Sequence, residues 1–90
     1  MTEQEWIRKL EEEGYSEPRA FPIGPNDIPP EPHTHNEQTV HVILEGELII
    51  ADDRGTQSYK PGDRVDFFAG TTHTAKTGPD GVKMIVGVKK

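Results

Sequence analysis

The sequence predicts an all-β sandwich or barrel preceded by one short helix. Three observations carry that reading. Short runs rich in Val, Ile, Thr and Phe recur along the chain, each about 5–8 residues long and spaced by turns every 8–12 or so. The 90 residues include 9 glycines and 8 prolines, a proportion high for a helical protein and suited to many turns. Apolar and polar residues also alternate within several of the runs, the period of a strand with one buried face.

The elements follow in order. Residues 2–13 read as the helix. Thr2 is placed as N-cap, Glu5 closes a capping box, and Gly14 stands where the helix should stop. Trp6, Ile7 and Leu10 form a narrow apolar stripe that should dock on a sheet or on a neighbouring subunit. Residues 16–32 hold Pro18, Pro22, Pro25, Pro29, Pro30 and Pro32, which leaves room only for an edge strand at Arg19–Ile23 and a stiff loop. Strands are expected at Thr39–Leu44, Glu47–Ala51, Thr56–Lys60, Arg64–Phe68, His73–Thr77 and Val82–Lys89. Turns are expected at Glu45-Gly46, Asp52–Gly55, Pro61–Asp63 and Gly78–Gly81. Val82, Met84, Val86 and Val88 share one face, and Val65 and Phe67 are expected to point inward. The run Thr39–Leu44 is semi-apolar on both faces, so it should be covered on both sides. The domain division is a helical lead at 1–15 and a single barrel at 16–90.

Composition narrows the class. A chain of this length forms one domain and buries only about 60–65% of its unfolded surface, so its core is thin. Thin cores are usually reinforced by disulfides, a metal or a partner subunit. There is no cysteine, which removes disulfides and thiolate metal sites and suits a cytoplasmic location. Net charge is −6, and the only basic runs are Arg8-Lys9 and Lys89-Lys90, so no nucleic-acid-binding face is expected. Neither a signal pattern nor an apolar stretch of membrane-spanning length occurs. No phosphate-binding glycine loop, nucleotide fingerprint or Ser-His-Asp arrangement can be placed. A homodimer is expected from the thin core and the two-sided strand.

The chemistry concentrates in the four histidines. His33 and His35 are two apart, so on an extended strand both imidazoles face one side. His41 lies six residues further on and would share that face. His73 follows the turn Gly70-Thr71-Thr72. Three or four neutral imidazoles on one interior face outline a first-row transition-metal site. Thr39, Ile43 and Phe67 lie on the strands beside them and are the pocket-lining candidates.

Two motifs then resemble those of the cupins, barrels of the double-stranded β-helix or jelly-roll type, over about residues 27–88. The first cupin motif is Gly, five residues, H-x-H, three or four residues, Glu, six residues, Gly. Here it reads Asp27, five residues, His33-Thr34-His35, three residues, Thr39, six residues, Gly46. The second is Gly, five residues, Pro-x-Gly, two residues, His, three residues, Asn. Here it reads Gly62, five residues, Phe68-Ala69-Gly70, two residues, His73, three residues, Thr77. The resemblance implies a divalent transition metal (Fe, Ni, Zn, Mn or Cu) on His33, His35 and His73. The family's ligating Glu falls on Thr39, so either Glu37 or Gln38 moves into the site, His41 becomes a fourth ligand, or the site has no carboxylate.

A neutral three-histidine set leaves coordination positions open for a hydroxyl, enolate or carboxylate oxygen of a small-molecule ligand. If His41 is not a ligand, its ordinary pKa near 6.5 suits a catalytic acid/base role. The leading reading is a metalloenzyme of oxygenase or isomerase type acting on a small oxygenated metabolite. The alternatives are a non-enzymatic small-molecule or metal-binding sensor, and a metal-free barrel stabilised by dimerisation.

Overall fold

The structure, a computed structural model, describes residues 1–89. Lys90, half of the terminal basic pair, lies outside the described residues. Helix α1 (Glu3–Glu12) is followed by strands β1 (Ser16–Ile23), β2 (His33–Thr34), β3 (Gln38–Asp52), β4 (Gly55–Tyr59), β5 (Arg64–Phe67) and β6 (Thr72–Lys89). The capping box forms as expected. The Glu5 amide donates to Thr2 Oγ1 at 3.1 Å and the Thr2 amide to Glu5 Oε1 at 2.8 Å.

Two long strands build the whole barrel. The first half of β3 pairs antiparallel with the second half of β6, from Gln38↔Lys89 to Ile43↔Met84. The second half of β3 pairs with the first half of β6, from Leu48↔Thr77 to Ala51↔Thr74. One four-stranded layer therefore runs β1, β6, β3, β5, and the facing layer runs β2, β6, β3, β4. Both layers are antiparallel throughout. β1 is an edge strand, which is why it tolerates Pro18 and Pro22.

The expected turns at Glu45-Gly46 and Gly78–Gly81 are bends inside continuous strands. His73–Thr77 and Val82–Lys89 do not fold back on each other as a hairpin. They pair in succession with the same partner. The reason lies at the crossing. A Cβ on Gly46 would stand 2.2 Å from the Gly81 carbonyl oxygen, and one on Gly81 would stand 2.4 Å from the Ile23 carbonyl oxygen. Both glycines have positive φ, 79° and 80°. Three backbone segments thus meet with no space for a side chain between them, and the register slips on each side of Gly46. At the bend the inward-facing residues change parity on both strands together. Along β3 the barrel lining passes from Ile43 to Leu48 and Ile50, and along β6 from Ala75 to Val82 and Met84.

The barrel interior is one apolar cluster, centred on Ile43, Leu48, Ile50, Phe67, Val82 and Met84. A second cluster lies on the outer face of the first layer, where Leu10 and Tyr15 cover Val40, Val42 and Ile85. Leu10, Val40, Val42 and Ile85 are each 0% exposed. So β3 is covered on both sides, as its sequence requires. The second cover, for which a partner subunit was the expectation, is the chain's own helix with Trp6 and Ile7 at its margin. Arg64 clamps the end of that helix. Its guanidinium donates twice to Glu13, at 2.6 and 2.8 Å, and twice to Asp66, at 2.8 and 2.9 Å. Tyr15 Oη donates to Asp66 at 2.6 Å and accepts from Gln38 Nε2 at 2.9 Å.

Two outcomes follow. Gly46→Ala combines left-handed strain with overpacking and should cost about 3 kcal/mol or more, read as a lower urea midpoint. The hydrogen bonds from Arg64 hold the Glu13 carboxyl at about 2, below its ordinary 4.5. The folded state binds that proton less readily than the unfolded chain, so the clamp contributes fully above pH 4.5 and is lost as pH falls through 2. Glu13→Gln should flatten the stability–pH curve in that window, and an unchanged curve would show that the clamp is not stabilising.

Candidate metal centre

Strand pairing brings the histidines together. β2 and β6 pair with His33 directly opposite His73 and Thr34 opposite Thr72. The two threonine hydroxyls hydrogen-bond at 2.6 Å on the opposite side of the strands from the imidazoles. His35 follows on the same side as His33, and the segment Phe68–Thr71 holds its backbone from both directions. The His35 amide donates to the Thr71 carbonyl at 3.4 Å, and the Gly70 amide donates to the His35 carbonyl at 2.8 Å.

The three rings converge, His33 edge to face with both neighbours and His35 tilted against His73. His73 Nε2 lies 2.8 Å from His33 Nε2 and 3.3 Å from His35 Nε2. His33 is nearly perpendicular to both neighbours, at 84° to His73 and 89° to His35. Nitrogens each bound about 2.0–2.1 Å from one ion, at tetrahedral to octahedral angles, stand about 2.8–3.4 Å apart. The His73 spacings to His33 and to His35 both fall in that range. His33, His35 and His73 are also the group of possible ligands whose donor atoms all lie within 4.8 Å of one another among the described residues.

His41 lies outside that group. Its ring centroid is 6.4 Å from that of His35 and 5.5 Å from that of Phe67. Gln38, a candidate replacement for the missing carboxylate, points away to Tyr15 on the outer face. Glu37 is outside the ligand group as well, and its Oε2 is buried without a hydrogen-bond partner. Thr39 stands in that position with its hydroxyl likewise buried and unpartnered. The converging donors are therefore three imidazoles with no carboxylate.

Phe67 forms the wall behind them, its ring 4.1 Å from that of His73. Beside the rings lies a cavity of about 180 Å³ lined by His33, His41 and His73 and by apolar residues that include Ile28, Leu48, Ile50 and Met84. Of the three pocket candidates, Phe67 touches the imidazoles. Thr39 and Ile43 are buried and lie outside the cavity lining. Leu48, Ile50 and Met84 read as core from the sequence. The slip at Gly46 aims them into the cavity, and no local pattern in the sequence shows that.

Burial sets the electrostatics. Loss of hydration, reinforced by the neighbouring histidines, lowers His41 and His73 to about 4 and lowers His35 in the same direction. His35, His41 and His73 are thus neutral at neutral pH, the state in which a histidine binds a metal. The ordinary value near 6.5 invoked for His41 as an acid/base does not apply in this surrounding.

No protein-family model matches the sequence, and no curated protein matches it. Solved structures do match. A cupin-2 domain protein from Shewanella frigidimarina aligns over 67% of this chain and 59% of its own, with 20% identity and a TM-score of 0.60. A DUF861 family protein from Thermotoga maritima aligns over 97% of this chain and 92% of its own, with 17% identity and a TM-score of 0.66. A polyketide cyclase from Streptomyces resistomycificus aligns over 79% of this chain and 52% of its own, with 28% identity and a TM-score of 0.64. The chain spans between 45% and 60% of the length of three further solved structures it matches. Barrel topology, motif spacing and these likenesses agree that the chain has the fold of a small cupin. No helix among the described residues is long and apolar enough to cross a membrane.

The depressed histidines have a measurable consequence for the metal-free protein. Below about pH 6.5 the unfolded chain takes up protons that folded His41 and His73 refuse until about pH 4. Stability should therefore fall as pH drops through that window and be level above it. Urea denaturation of His41→Gln should show a shallower fall, and an identical slope would mean that His41 is not buried in neutral form.

Proposed function

We propose that this chain is a metal-dependent cupin acting on a small oxygenated molecule, with His33, His35 and His73 as the metal ligands. The observation that carries the reading is the convergence of three imidazole donors within 4.8 Å of one another, with His73 Nε2 at 2.8 and 3.3 Å from the other two. A divalent ion bound there would supply Lewis acidity to a ligand oxygen, and with no carboxylate among the three donors its charge would be undiminished.

The chain's own residues account for the rest. The paired β2 and β6 hold His33 and His73 in register, and the Phe68–Thr71 segment fixes His35. Phe67 packs against His73 and keeps water from that side of the ring. His41 faces the same cavity. A neutral imidazole with so low a pKa is a weak base, but it hydrogen-bonds well to a carbonyl or enol oxygen. We assign His41 that role, polarising and orienting the substrate. Chemistry that moves protons next to a carbonyl, as in isomerases, fits this arrangement. The polyketide cyclase is the one of the three neighbours above whose name states a reaction.

Elemental analysis of tag-free protein, reconstituted in turn with Fe, Ni, Zn, Mn and Cu, tests the reading. About one ion per chain is expected. His73→Gln should bind it at least roughly 100-fold more weakly, beyond the 10–100-fold typical of lost supporting residues. His41→Gln should retain the ion. Absence of stoichiometric metal under every condition would sink the proposal, and loss of metal from His41→Gln would make His41 a ligand.

A further inference from the structure

The cavity beside the imidazoles carries information that metal binding does not use. Apart from its histidines, its lining is entirely apolar: Ile23, Ile28, Leu48, Ile50, Ala75 and Met84. No Lys, Arg, Asp or Glu lines it. A phosphate or carboxylate placed among those apolar side chains, away from the imidazoles, would be desolvated with no side-chain cation to pair with, at a heavy cost. Lys76, the cation nearest in sequence to Ala75, is exposed. The volume, about 180 Å³, is close to that of an apolar protein cavity of roughly 150 Å³ that takes up benzene. The polar groups of the lining are confined to His33, His41 and His73, so a ligand's oxygen finds protein partners in that direction alone.

We infer that the site selects a compact molecule with an apolar ring or branched body of about six to eight non-hydrogen atoms and a single oxygen-bearing edge, the chemistry of a phenol or a cyclic enol. Sugar phosphates, nucleotides and dicarboxylates are disfavoured, because the apolar lining offers a second charged group no partner. The apolar body follows from the cavity alone. The direction of the oxygen rests on the metal-centre reading.

Methyl NMR on the full chain, with labelled Ile, Leu, Met and Ala, tests this with two probes, phenol and 2-phosphoglycolate. Each is titrated into metal-free and metal-loaded protein, with metal content measured on the same samples. Phenol should shift the methyls of Ile28, Leu48, Ile50 and Met84 saturably, and 2-phosphoglycolate at equal concentration should leave them in place in the metal-free protein and shift them less than phenol does in the metal-loaded protein. Ala75→Leu fills the cavity and should weaken phenol binding at least about tenfold. The wild-type titration decides the matter even if that variant does not fold. No saturable phenol shift at these methyls, or an equal response to 2-phosphoglycolate, would overturn the inference. Phenol binding without metal uptake would refute the metal centre and leave the ligand class standing. Metal uptake without phenol binding would refute the ligand class alone.

Discussion

The close crossing of Gly46 and Gly81 is the constraint on which the other features rest. Each of the two long strands serves in both layers, so the barrel closes only if both bend at one level. They bend together because three backbone segments, at Ile23, Gly46 and Gly81, lie too near one another for any side chain to intervene. The same bend reverses which residues face inward. Without that reversal Leu48 and Ile50 would face outward, and the cavity beside the histidines would lose two of its walls. A feature in the middle of the two long strands, eight residues along β6 from His73, therefore determines what surrounds it.

The sequence was most legible where a short-range rule applied. The capping box of α1, the H-x-H pair, and the spacing to His73 each depend on a few neighbouring residues, and each led to the right arrangement. The two-faced character of Thr39–Leu44 was also visible, because alternation by two is a local property. The bends at Gly46 and Gly81 were read as turns because glycine marks both, and only long-range pairing separates a turn from a strand that bends and continues. The covering partner of Val40 and Val42 was illegible for the same reason. Nothing local shows that a helix some 30 residues earlier returns to lie on them.

The missing carboxylate was visible as a gap but not in its consequence. Thr39 occupies the position, and the neighbours that might have replaced it are committed elsewhere: Gln38 to Tyr15 on the outer face, and Glu37 outside the ligand group. Three imidazole donors remain beside an apolar cavity. The electrostatic character of the site thus comes from what its neighbours lack as much as from the imidazoles themselves.

The two-sided burial of β3 carries a further implication. Before the bend, the even-numbered Val40 and Val42 answer to the helix, while the odd-numbered Thr39 and His41 face the interior. Adjacent residues of one strand are thus exposed to different selective pressures, one for cohesion and one for chemistry. Such a strand can drift on one face while the other is held. New specificity can then arise by changing His41 without disturbing the contacts that Val40 and Val42 make with the helix, which gives a small barrel more evolutionary latitude than its thin core would suggest.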